Sequence, residues 1–106
     1  MECQITFNAD TLIARLDGEI DHHTAKGTRE QIDIEIENNH PKTLILDFSD
    51  VSFMDSSGIG LIMGRYKSMK AIGGEVTIKN PSPNTLRVLK LAGMDRLAKI
   101  ERNDTL

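Results

Sequence analysis

The chain of 106 residues is 39% hydrophobic and 27% charged with a formal net charge of −3, proportions that suit one domain spanning 1–106 and leave little room for a second. A pI near 5.5 and an aromatic complement of three Phe and one Tyr argue against direct nucleic-acid binding, which needs a basic footprint or a base-stacking platform. Cys3 is the single cysteine, so no internal disulfide forms. No apolar run reaches membrane-spanning length, and the polar start lacks the parts of a signal peptide; the expectation is a cytoplasmic domain without membrane contact.

Cys3, Ile5 and Phe7 alternate with polar residues, the period of a strand with one buried face, and Cys3 reads as core. Asn8-Ala9-Asp10 is a turn, after which Leu12, Ala14, Leu16, Gly18 and Ile20 continue the alternation; the two strands are expected to form an antiparallel hairpin. Asp21 or Thr24 caps a helix running to about His40-Pro41. Within it Ile32, Ile34 and Ile36 alternate like a strand, but Ala25, Thr28, Arg29, Ile32 and Ile36 make a helical stripe over a longer window. Length and the need for a crossover favour helix.

Thr43 to Phe48 is the central strand, and its run Thr43-Leu44-Ile45-Leu46 suits burial on both faces. A second helix follows from Ser56, with Ile59, Ile62, Met63, Tyr66 and Met69 on one face and Gly73-Gly74 as its stop. Gly58, Gly60 and Gly64 each cost a helix roughly 1 kcal/mol relative to Ala, which points to close approach by a neighbouring element or a docked partner. Glu75 to Asn80 alternates as a strand. Ser82-Pro83 is an N-cap and first-turn pair for a helix carrying Leu86, Val88, Leu89, Leu91 and Ala92, closed by Gly93. Leu97 to Ile100 is a last strand, and 101–106 a polar tail expected to fray. The order β-β-α-β-α-β-α-β predicts an α/β domain with a mixed sheet of four to five strands and helical crossovers.

Chemistry concentrates between Asp47 and Gly60. Asp55, Ser56 and Ser57 fall at a strand-to-helix crossing, where open backbone N–H groups attract side-chain oxygens and anions, and where a hydroxyl is displayed at the carboxyl edge of the sheet. A hydrolase nucleophile there lacks the Gly-x-Ser-x-Gly pattern, because Met54 holds the first glycine position. No phosphate-binding loop of the Gly-x-x-x-x-Gly-Lys type is present. Asp21-His22-His23 resembles a metal cluster or a phosphoesterase signature, but the only other histidine is the distant His40 and no matching cluster exists; no metal or other cofactor is expected. A hydroxyl that accepts a phosphoryl group from a kinase demands less of the chain itself. Its rival is a hydroxyl that only caps the helix.

The runs Leu46-Asp47-Phe48, Val51-Ser52-Phe53-Met54-Asp55-Ser56-Ser57-Gly58-Ile59-Gly60 and Gly18-Glu19-Ile20-Asp21-His22-His23-Thr24-Ala25 resemble the anti-sigma factor antagonists of the STAS domain family, those of sporulating bacteria in particular. Gly64-Arg65-Tyr66-Lys67, Asn80-Pro81-Ser82-Pro83 and Leu91-Ala92-Gly93-Met94 extend the likeness over nearly the whole chain. Family members usually carry a further C-terminal helix, which is expected to be short or missing here. The resemblance implies that Ser56, directly after the Asp of Asp-Ser-Ser-Gly, is the phosphorylated serine. It implies that the unmodified domain binds an anti-sigma factor with serine kinase activity and so releases a sigma factor. Phosphorylation ends the interaction, a serine phosphatase restores it, and the domain is not itself an enzyme. Asp21, Asp55, Ser57, Gly58 and Gly60 are the expected partner-binding residues, with Asp50, Asp55 and Asp21 making the phosphorylated patch strongly negative. The alternative is an accessory STAS domain of a transport complex or stress-sensing particle, using the same helix to dock another protein.

Overall fold

The computed structural model describes residues 2–102. Its first unit is the predicted hairpin of β1 (Glu2–Asn8) and β2 (Thr11–Ile20), paired antiparallel with Asn8 opposite Thr11. Ala9 and Asp10 both take positive φ, 51° and 66°, the left-handed pair that a tight hairpin turn requires. The remaining elements are α1 (His22–Asn39), β3 (Thr43–Met54), α2 (Ser56–Ala71), β4 (Glu75–Lys79), α3 (Pro83–Leu91), a short 3₁₀ turn (Met94–Arg96) and β5 (Lys99–Glu101). The sheet order is β1-β2-β3-β4-β5, with β2 through β5 parallel.

That order never reverses. Right-handed crossovers stepping in one direction carry their helices to the same face of a sheet, and burial follows: Leu12, Ala14, Leu16, Leu44, Leu46, Val76 and Ile78 are buried, whereas Arg15 and Asp17 are exposed and Thr43, Ile45 and Asp47 half-buried. The expectation that β3 is buried on both faces is therefore corrected. The strand is also longer than its apolar run, reaching Met54, because Asp50, Val51, Phe53 and Met54 pair with Asp17, Gly18, Glu19 and Ile20 across two register shifts.

The helical reading of α1 holds: Thr28, Ile32 and Ile36 are buried while Ile34 is 56% exposed. His40 ends the helix in the left-handed region at φ 46°. In α2 the buried residues are Gly58, Leu61, Ile62, Arg65 and Met69, with Ile59, Met63 and Tyr66 packed at the margin; the stripe is rotated towards Leu61 and Arg65 from the expected one. Ser82 accepts from Thr85 N and Pro83 opens α3 as predicted, but Leu91 is 82% exposed. Phe7 is 43% exposed, because β1 is an edge strand with one neighbour. Cys3 is partly buried against the core. The last strand is shorter than expected, since Met94–Arg96 turns before it and Ala98 is buried ahead of Lys99. Of the expected tail, Glu101 belongs to β5, and 103–106, with any further C-terminal helix, lie outside the described residues. Among the described residues no helix is long and apolar enough to cross a membrane.

Candidate phosphorylation and docking site

Ile20 and Met54 are register partners at the carboxyl ends of β2 and β3, so the next residues, Asp21 and Asp55, leave the sheet side by side. Asp55 N donates to Ile20 O at 3.1 Å, which fixes the start of α2 to the end of β2. Both aspartates have extended backbones and cap the helices that follow. Asp21 Oδ1 accepts from His23 N at 2.9 Å and Thr24 N at 3.1 Å, while Asp21 N donates to Thr24 Oγ1 at 3.0 Å, a reciprocal capping box. The backbone N–H of Thr24, followed by that of His23, holds the Asp21 carboxyl below its usual range against some desolvation. Asp55 Oδ1 accepts from Ser57 N at 2.8 Å.

The cap of α2 is thus made by Asp55, and Ser56 is released from that duty. Ser56 is the first residue of α2 and is exposed. Ser57 is half-buried, and Gly60 is exposed one turn along the same helix. Gly58 is buried: a Cβ there would overlap Met54 Cγ and Sδ and come within 3.3 Å of Ile20 Cγ2. Gly58 thus serves the packing of α2 on the sheet. Gly60 and Gly64 meet nothing within 4 Å, so close approach explains one of the three helix glycines. Asp50 does not join the serine patch as a free charge either. Its Oδ2 accepts from Arg15 Nε at 2.9 Å and Nη2 at 2.6 Å, in a hollow shared with Gln4 and Asp17.

A groove of about 560 Å³ runs between the first turns of α1 and α2, with His22, His23, Lys26 and Arg29 on one wall and Ser57 and Gly60 on the other. Lys26 and Arg29 were not expected at the site. Their signal was in the sequence, since His22, Lys26 and Arg29 recur at spacings of four and three and so share a helix face, but only the apposition of α2 makes that face a wall. Among the described residues no group of three His, Cys, Asp or Glu side chains is placed to hold a metal.

The STAS domain model matches residues 2–104. The chain belongs to the STAS domain family. This STAS domain is 35% identical over 104 residues to the anti-sigma F factor antagonist of Paenibacillus polymyxa, covering 98% of this chain and 89% of that protein. It is 30% identical to the anti-sigma-B factor antagonist of Bacillus subtilis, covering 88% and 84%. The anti-sigma factor antagonist SpoIIAA, solved in its unphosphorylated form, superposes with a TM-score of 0.83 at 34% identity, covering 93% of this chain and 87% of that one. SpoIIAA of Bacillus in the phosphorylated form superposes with a TM-score of 0.75 at the same identity, covering 93% and 90%.

Proposed function

We propose that this STAS domain is an anti-sigma factor antagonist switched by phosphorylation at Ser56. The observation that carries this is the division of labour at the start of α2: Asp55 caps the helix through Ser57 N at 2.8 Å, leaving Ser56 as an exposed residue at its first position. The relatives named as antagonists of anti-sigma factors, and the likeness to SpoIIAA in both phosphorylation states, support the reading. In the unmodified state the domain binds an anti-sigma factor with serine kinase activity and frees a sigma factor. The kinase then transfers a phosphoryl group to Ser56 and the complex parts, and a serine phosphatase returns the hydroxyl. The domain is ligand and substrate here, not enzyme.

A phosphoryl group adds about −1.5 to −2 charge at neutral pH. At a helix N-terminus that charge meets unpaired N–H groups and the positive end of the helix dipole, so the fold tolerates it. A partner surface shaped for a hydroxyl does not, and loses contact through bulk and desolvation. The decisive experiment mixes the protein with candidate anti-sigma kinases and labelled ATP and maps the modified residue by mass spectrometry. Label on Ser56, with Ser56→Ala still bound by the kinase and Ser56→Glu bound weakly, is the expected result. Label on Ser57, or equal binding by both variants, sinks the reading.

A further inference from the structure

The groove between α1 and α2 has an unbalanced charge. Lys26 and Arg29 line it with His22 and His23, and among the described residues no carboxylate does, although the chain as a whole carries −3. Asp21 and Asp55, at the two helix starts, keep their charge but are turned to their own helix ends, accepting from the N–H groups of His23 and Thr24 and of Ser57, and neither lines the groove. A further cation of α2, Arg65, is buried and paired with Asp33 at 2.8 Å, so it adds no net charge to the groove. The groove also has room. About 560 Å³ between helix faces that carry Ala25 and Gly60 as small residues accommodates several side chains of an inserted segment. Its α2 wall includes Ser57, the immediate neighbour of Ser56.

We propose that this groove is the docking channel for an acidic segment, rich in Asp and Glu, of the anti-sigma factor partner. The inference rests on the regulatory reading above and extends it to the partner's chemistry. A cation-lined cleft focuses field and speeds encounter with an oppositely charged segment, an effect that fades as salt rises. It also gives the phosphoryl group a second lever. A charge of about −1.5 to −2 on Ser56, next to Ser57 of the groove wall, opposes the positive charge of Lys26 and Arg29, so the attraction that recruits the segment is weakened where the mark is written.

The test measures association and dissociation of the anti-sigma kinase, by surface plasmon resonance, at 50 mM and 500 mM salt. The proteins compared are the parent chain, a Lys26→Glu/Arg29→Glu variant, and a Lys67→Glu/Lys90→Glu variant that makes the same change in net charge at exposed positions outside the groove. The groove variant is expected to bind at least tenfold more weakly at 50 mM salt, mostly through a slower association rate. The control pair stays within about twofold of the parent, and the gap between the variants closes at 500 mM. A Lys26→Gln/Arg29→Gln variant, with thermal melts alongside, serves if the double reversal does not fold. In a second arm, a photocrosslinker carried on Gly60→Cys in a Cys3→Ser background, which keeps both groove cations, should capture an Asp- and Glu-rich peptide of the kinase. Groove variants that match the parent at both salts, or capture of a neutral or basic peptide, overturn the proposal while Ser56 phosphorylation still stands. If the kinase neither binds the parent nor labels Ser56, the regulatory reading has failed and the docking proposal goes with it.

Discussion

Arg65 Nε lies 2.8 Å from Asp33 Oδ1, tying α2 to α1 by an ion pair that is buried at one end and open at the other. Arg65 is 5% exposed, and the Asp33 side chain 43%. The approach is close without being aligned, since Nε and Oδ1 each lack a hydrogen-bond partner of good geometry; the guanidinium's directed bond goes from Nη1 to Leu61 O at 3.3 Å. Burial pulls Arg65 below its ordinary pKa, Asp33 opposes the shift, and Arg29 adds to it. Removing the two partners should therefore have unequal effects. Asp33→Ala strands a buried cation and should cost about 1–2 kcal/mol, less than a fully buried pair because solvent reaches the carboxylate. Arg65→Met should stay within about 1 kcal/mol of the parent, because an apolar stem of similar length fills the same space. Urea unfolding of both variants checks the order.

Gly58 and Gly60 are two residues apart in α2 and should respond to alanine with opposite signs. At Gly58 the new methyl meets Met54 near the root of its side chain, so overpacking of about 1–3 kcal/mol exceeds the helix-propensity gain of roughly 1. At Gly60 nothing stands within 4 Å, and the same gain of up to about 1 kcal/mol should appear as added stability. Denaturation midpoints that move in one direction for both would contradict the packing described for α2.

Burial raises the Cys3 thiol from 9.0 to about 11. The unfolded chain then ionises this thiol at lower pH than the folded one. Its contribution to stability is complete below pH 9 and is lost as pH rises through about 11. Other groups titrate in that range, so the comparison is with Cys3→Ser, whose stability should fall less steeply between pH 9 and 11. Disulfide-exchange reagents at pH 8 should modify native Cys3 much more slowly than urea-unfolded Cys3.

In α3, Leu89 is wholly buried and Leu91 is 82% exposed. Leu89→Ala should cost about 2–5 kcal/mol by opening a cavity in the core. Leu91→Ala should stay within about 0.5 kcal/mol of the parent. Thermal melts distinguish the two.

Local chemistry by itself determined most of the elements. Alternation around Leu12 to Ile20, turn residues at Asn8 to Asp10, the Asp21 and Ser82 caps and the glycine stop after α2 each act over one or two turns of chain, and each is written in adjacent residues. The prominence of Asp55-Ser56-Ser57 was legible for the same reason, since a helix start is a local event. Five outcomes needed the third dimension. The one-sided burial of β3 follows from a strand order that never reverses, and its extension to Met54 from pairing with Gly18 to Ile20. Only the register of Ile20 with Met54 sets Asp21 beside Asp55. The ion pair that withdraws Asp50 from the serine patch joins residues 35 positions apart. The cationic wall of Lys26 and Arg29 becomes a groove only when α2 packs alongside α1. Charge acts through space, and which charges share a space is decided by packing between elements that the chain order keeps far apart.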